Sequence, residues 1–386
     1  MSIYLDEAAT TKPSPEVISA MMPYLSEKWH NPSSLYSWAS DVSKDVAKAR
    51  KTVADFINAE KDEVFFTSGG SESNCWAIQG FVTHRSAIEE LPCIITTNIE
   101  HHSIMECTAM MNMLPCLVWY VGVDEYGNVD IEELEEALKC MTKETKPSNV
   151  LVSIGMANNE IGTIQDIKKL SEIIHSYGAI FHTDAVQAFG HIPIDVEDMG
   201  IDMLSASGHK IGAPKGIGIL YKRNGIEINP LIYGSQMDGM RGGTENVPYI
   251  IGMAKAVELI ERYAKPDMCQ RIAYIRDYFI DKLENIGCKL NGSHEHRLPN
   301  NINVTLPHGL NGESMLYCMD LCDVYISTGS ACNSKSIEPS PVLSAIGLGD
   351  DAYNSIRITF PVGITKEEID EVVSEMDRQI KILVNN

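Results

Sequence analysis

The chain has 386 residues, 44% of them hydrophobic and 22% charged, with 31 Lys and Arg against 53 Asp and Glu for a formal charge of −22. That composition excludes a disordered, collagenous or fibrous chain, and the length is enough for a large core and more than one domain. The acidic excess repels phosphate backbones, so neither nucleic acid nor an anionic membrane is expected as a partner. The start, Met1-Ser2-Ile3-Tyr4-Leu5-Asp6, has neither the basic opening nor the apolar run of a signal peptide. The longest uncharged stretch, Cys107–Val123, is broken by Pro115 and falls short of a membrane span. A cytoplasmic location is the expectation. None of the ten cysteines forms a Cys-x-x-Cys pair, so neither a disulfide framework nor a metal centre is expected. The consecutive His294-Glu295-His296 points in different directions and does not change that.

Short apolar runs predict buried strands at Val64–Thr67, Ile94–Thr97, Leu117–Val121, Val150–Ile154, Ala179–Thr183 and Asp202–Ala206. Amphipathic stretches lie between them. Asp130–Met141 opens on a capping pair, Asp130 and Glu133, and Asp166–Tyr177 ends at Gly178. Strand–helix alternation predicts an α/β fold with a mostly parallel sheet between helices. Beyond about Gly252 the texture changes. One long helical pattern, Met253–Ile286, precedes strands near Asn301–Leu306 and Ser355–Phe360 and a helix from Lys366. This predicts residues 15–255 as a large domain and 256–386 as a smaller α+β domain, with residues 1–14 joining the two.

In such sheets ligands sit at the carboxyl ends of the strands, so residues there are the candidates. Asp184 closes the run Ala179–Thr183, where a carboxylate needs a cation or a donor. Ser207-Gly208-His209-Lys210 closes the next run. A lysine there is a candidate Schiff-base amine, and the pair Asp184 and Lys210 suits pyridoxal phosphate, which needs an acid for its ring nitrogen and an amine for its aldehyde. Ser68-Gly69-Gly70-Ser71 links a strand to a helix start, a place for a phosphate dianion, with Ser207 and His209 as further donors. His101 follows a strand and is placed to stack on an aromatic cofactor and move protons. Cys332 sits among small polar residues, Ser327 to Ser336, as a candidate nucleophile. Arg357 lies in an apolar strand and needs an anion, either a substrate carboxylate or a structural partner.

These segments together resemble the cysteine desulfurases, PLP enzymes of fold type I in the class V aminotransferase group. The likeness runs nearly end to end. It includes Tyr4-Leu5-Asp6, Asn31-Pro32-Ser33-Ser34, Glu100-His101, Asn158-Asn159-Glu160-Ile161-Gly162, Asp184-Ala185-Val186-Gln187, Arg241-Gly242-Gly243-Thr244-Glu245-Asn246 and Gly329-Ser330-Ala331-Cys332. The cysteine segment is similar to that of the NifS/IscS-like group I. The resemblance implies a large domain with a mostly parallel seven-stranded sheet, pyridoxal 5'-phosphate as cofactor and L-cysteine as substrate. It implies a homodimer, a persulfide on Cys332, and a sulfur-acceptor protein such as an iron–sulfur scaffold or a thiolation system.

The resemblance also implies roles: Lys210 carries the cofactor, Asp184 meets the ring nitrogen, Gln187 the phenolic oxygen, and His101 the ring face. Asn159 positions cofactor and substrate. Gly70, Ser71, Ser207 and His209 hold the phosphate, with Thr244 reaching over from the partner. Arg357 and Asn31 take the substrate carboxylate. Departures from the family pattern are Cys75, Tyr36, a shortened stretch at 233–239, and Pro361 after Phe360. The competing readings are an aminotransferase or selenocysteine lyase of the same class, which needs no cysteine nucleophile, or an inactive sulfur-relay protein.

Overall fold

A computed structural model describes residues 2–328 and 339–385. The strands are β1 (Ile3–Tyr4), β2 (Val64–Thr67), β3 (Cys93–Thr97), β4 (Leu117–Val121), β5 (Val150–Ser153), β6 (Ile180–Asp184), β7 (Met203–Ser207), β8 (Gly218–Lys222), β9 (Lys289–Leu290), β10 (Asn301–Thr305), β11 (Val324–Tyr325) and β12 (Ser355–Thr359). The helices are α1 (Pro15–Met21), α2 (Pro23–Ser26), α3 (Ser37–Phe56), α4 (Gly70–Ala87), α5 (His102–Met111), α6 (Ile131–Glu144), α7 (Ile167–Ser176), α8 (Val247–Ile260), α9 (Pro266–Asn285), α10 (Gly312–Asp320), α11 (Pro341–Ala345) and α12 (Lys366–Val384).

The central sheet has seven strands in the order β2-β8-β7-β6-β5-β3-β4. Only β8 runs against its neighbours; it pairs antiparallel with both β2 and β7. This is the α/β, mostly parallel arrangement that the strand–helix alternation predicts. The six expected strands are all present, within a residue at each end. The sequence reading misses β8, because Ile-Leu-Tyr between glycines carries no length or periodicity to mark it.

Apart from the edge strand β4, the strands of the central sheet are buried on both faces, and alternate residues feed two different cores. Val64, Ile95, Val152 and Phe181 point into one core, filled by α3, α6, α7 and α8. Phe65, Ile94, Leu151 and Ile180 point into the other, filled by α4 and α5. Helices therefore cover both faces, and every β-to-α turn on the parallel strands opens at the same end of the sheet.

A further core forms between α9, α10, α12, β10 and β12, and it takes in Ile3 and Leu5 from the chain start. Its sheet has the order β12-β10-β9, and β1 pairs with β11 beside it. The expected single helix over Met253–Ile286 is two helices, α8 and α9. Pro266 has no N–H to continue a helix and instead opens α9 at its first turn. Met253, Ala256 and Val257 of α8 belong to the first large core. Cys107 is buried as expected, but Cys75 and Cys318 are only half-buried. On α10 it is the Met315 and Met319 stripe that turns inward, and Cys318 sits off that stripe.

Candidate active site

The open end of the central sheet holds a cleft of about 320 Å³. Its wall is assembled from turns after five strands. Gly70, Ser71 and Asn74 follow β2; Glu100 to Ser103 follow β3; Ile154, Gly155 and Asn159 follow β5; Val186 and Gln187 follow Asp184 at the end of β6; Ser207, His209 and Lys210 follow β7. Ala8, Ala9, Arg357, Pro341 and Val342 complete its lining.

Asp184 is the last residue of β6 and is 8% exposed. Its Oδ1 accepts from the Val186 amide at 2.8 Å and its Oδ2 accepts from Asn74 Nδ2 at 2.7 Å. Lys210 sits in a single helical turn after β7, and its Nζ donates to the carbonyls of Ala8 at 2.5 Å and Ala9 at 2.9 Å. Gln187 Nε2 donates to the same Ala8 carbonyl at 3.1 Å. His209 Nδ1 lies 3.2 Å from Thr10 Oγ1, and burial with the nearby Lys210 and Lys215 charges holds the imidazole down to about 4.

The start of α4 carries no side-chain cap. Its cap, Gly69, provides no side chain to the first-turn amides. Those donors therefore face the cleft beside Ser71 and Ser207. Gly70 must lack a side chain, since a Cβ there would meet Val186 Cγ2 at 2.5 Å.

Arg357 is 2% exposed and central in β12. Its Nη2 bonds Asp6 Oδ1 at 2.7 Å and its Nη1 donates to the Asn159 carbonyl at 3.0 Å. Its Nε is buried with no partner among the described residues. A guanidinium carries about five N–H donors, so a second hydrogen on each Nη is left for another acceptor. Glu160, adjacent to Asn159, accepts from Ser340 Oγ at 2.5 Å, and burial raises its carboxyl.

The structure brings Gly70, Ser71, His101, Asn159, Asp184, Gln187, Ser207, His209, Lys210 and Arg357 to one cleft. It does not bring Asn31 or Thr244 there; both are exposed and outside the cleft of their own chain. Asn31 Oδ1 instead caps its local turn by accepting from the Ser33 amide at 3.0 Å. Cys332 lies outside the described residues.

The roles of three cleft residues, Asn74, Ser103 and Glu100, escape sequence reasoning, as does that of Asp6 as partner of Arg357. Asn74 had a signal, since it stands four residues after Gly70 and so on the same face of α4. Glu100 accepts from Thr97 Oγ1 at 2.7 Å and, through both oxygens, from the Gly155 amide at 3.1 and 3.0 Å. Burial nevertheless pushes it up to about 7, with Asp184 adding to the rise. Glu7 is also raised to about 7, by burial and by Asp6.

The folded protein therefore keeps protons on these acids that the unfolded chain releases above the ordinary value of 4.5. Their contribution to stability is complete below that value and is lost as pH rises to about 7. The urea midpoint is expected to fall over that interval, and Glu100→Gln to remove about half of the fall. An unchanged pH dependence in Glu100→Gln would show that Glu100 is ionised throughout.

The model of the class-V aminotransferase family matches residues 3–372. The chain is 45% identical over 385 residues to a cysteine desulfurase IscS of Dictyoglomus turgidum, covering 99% of this chain and 95% of that one. Identity to the enzyme of the same name from Methanosarcina thermophila is 42%, covering 100% and 93%. Among solved structures, a NifS-like protein superposes with a TM-score of 0.90 at 32% identity, covering 99% of this chain and 100% of the other. A structure described as SspA in complex with cysteine superposes with a TM-score of 0.80 at 35% identity, covering 93% and 99%. With nearly its whole length matched both by the family model and by these relatives, the chain belongs to the class-V aminotransferase family, among its cysteine desulfurases.

Proposed function

We propose that the chain is a pyridoxal 5'-phosphate-dependent cysteine desulfurase that converts L-cysteine to L-alanine and leaves a persulfide on Cys332. The carrying observation is the meeting of Asp184, Lys210 and His101 in one cleft with the uncapped start of α4. The residues fit the coenzyme. An acid with its outer oxygens held by amides suits a protonated ring nitrogen. Free first-turn amides with Ser71, Ser207 and His209 suit a phosphate. The ban on a Cβ at Gly70 keeps that approach close. Similarity to SspA, whose structure holds cysteine, supports the substrate.

When bound, the coenzyme supplies an aldehyde that captures the substrate amine and a ring that takes up the electron pair left by the α-proton. The chain supplies the rest. Lys210 removes the α-proton, and the Ala8 and Ala9 carbonyls fix where its Nζ stands. Asp184, steadied by Asn74 and Val186, holds a proton on the ring nitrogen. Gln187 and Asn159 position the bound molecules. Arg357 takes the substrate carboxylate through the Nη hydrogens that Asp6 and the Asn159 carbonyl leave over. The Cys332 thiolate then attacks the substrate Sγ. An S–S bond forms, the Cβ–S bond breaks, and its electron pair stays on carbon, which is protonated to give alanine.

A homodimer with Thr244 reaching the partner's phosphate site is part of this reading. It is supported by the exposure of Thr244 and by an exposed aromatic cluster in which Trp29, Tyr36 and Trp38 surround His30. The persulfide sulfur passes to an acceptor protein, for iron–sulfur assembly or thiolation.

The test is mass spectrometry of the intact protein after incubation with cysteine. A gain of about one sulfur, about 32 Da, is expected on Cys332 and is expected to vanish in Cys332→Ala together with alanine release. Alanine release at the parent rate from Cys332→Ala would instead favour a lyase that needs no cysteine nucleophile.

A further inference from the structure

His101 caps α5. The Ser103 backbone N–H donates to its Nδ1 at 3.1 Å, and Ser103 Oγ lies 2.8 Å from the same nitrogen. A backbone N–H can only donate, so Nδ1 must present a lone pair. Ser103 Oγ in turn accepts from Asn74 Nδ2 at 2.9 Å, and the other hydrogen of that amide goes to Asp184 Oδ2 at 2.7 Å. Asn74 is 1% exposed, and its Oδ1 has no partner among the described residues. The amide is therefore oriented by the carboxylate it serves: turned over, it would set its carbonyl oxygen against Asp184. With both Asn74 hydrogens spoken for and one aimed at Ser103 Oγ, the Ser103 hydroxyl hydrogen is left to point at His101.

We propose that Ser103 is a positioning residue, the last link of a one-way chain from Asp184 through Asn74, that fixes His101 as the neutral imidazole with its proton on Nε2. The donors all run in one direction: Asn74 to Asp184 and to Ser103, then Ser103 to His101. Held so, His101 offers an N–H to the cleft and has no lone pair there, so it donates a hydrogen bond but takes no proton, and the α-proton falls to Lys210 alone. Charges around the ring do not upset this state. Asp184 and Glu106 favour the charged imidazole, but burial outweighs them, with His102 and Lys210 adding to it, and the ring is held below its ordinary value.

The inference deepens the reading of His101 as the residue over the coenzyme ring, and its readout does not need turnover. Long-range proton–nitrogen spectra of the 15N-histidine-labelled protein, with and without pyridoxal phosphate, report which ring nitrogen carries the proton. In the parent protein His101 Nδ1 is expected to be unprotonated and Nε2 protonated in both forms. Ser103→Ala is expected to move Nδ1 toward the averaged position of a tautomer mixture and to lower kcat about fivefold at unchanged KM. Ser103→Thr, which keeps the hydroxyl, restores both. Ser103→Cys, a weak donor of similar size, gives an intermediate nitrogen shift and decides the matter if Ser103→Ala does not fold. A protonated Nδ1 in the parent protein overturns the proposal, as does a Ser103→Ala or Ser103→Cys protein with parental nitrogen shifts. If the shifts behave as expected but no coenzyme binds, the tautomer stands and the desulfurase reading fails.

Discussion

Lys210→Ala is expected to lose the visible absorption of lysine-bound coenzyme and at least about a thousandfold in alanine formation. The size of the loss follows from two duties on one atom. Nζ is the group that holds the coenzyme between turnovers, and it is the base for the α-proton. His209 and His101 are poor replacements for it. His209 is held neutral and near Thr10, and on the reasoning above His101 has its lone pair turned away from the cleft. Added small amines should restore part of the rate, because they replace the base but not its placement. The check is single-turnover alanine release together with the absorption spectrum. A Lys210→Ala protein that retains both would remove Lys210 from the chemistry.

Asp6→Ala is expected to destabilise the protein by about 3 kcal/mol, because it leaves a buried guanidinium with no carboxylate bonded to it. Arg357 is 2% exposed, and Asp6 is the acid that it pairs with. The same change should also act on catalysis. Asp6 and the Asn159 carbonyl hold both Nη atoms, which sets the plane of the guanidinium and aims the remaining Nη hydrogens. Without Asp6 the fork can rotate, and KM for cysteine is expected to rise about tenfold with a smaller change in kcat. Asp6→Asn, which keeps an oxygen for Nη2, is expected to recover most of the KM and little of the stability. Chemical denaturation and steady-state kinetics separate the two effects. Parental stability in Asp6→Ala would mean that another acid, with Glu160 nearest in the electrostatics of Arg357, takes over the pairing.

Much of this was legible in the residues. The buried strands announce themselves as short apolar runs, and the turns after them hold Asp184, His101 and Lys210 because a parallel sheet gathers its carboxyl ends. The resemblance to the cysteine desulfurases adds Gln187 and Asn159, and these, like Arg357, line the cleft. What stayed hidden was the supporting layer. Asn74 and Ser103 meet across α4 and α5 from positions 29 residues apart, and nothing local marks that contact. Asp6 and Arg357 are separated by 351 residues. Strand β8 was missed because a five-residue antiparallel insertion has no helix after it to betray it. Asn31 and Thr244 stand outside the cleft of their own chain.

The segment Asp6 to Thr11 touches nearly everything that matters. Its carbonyls receive Lys210 and Gln187, Thr11 Oγ1 donates to the His209 carbonyl, Ala8 N donates to Thr359 Oγ1, and Asp6 holds Arg357. This segment thus has to wait for residues 351 positions further along the chain. Until β12 has emerged, the opening segment has no Thr359 or Arg357 to dock against, and a nascent chain cannot finish its catalytic pocket however well its central sheet has formed. Synthesis itself therefore delays activity, and a polypeptide truncated before residue 355 should accumulate a folded sheet without a working centre.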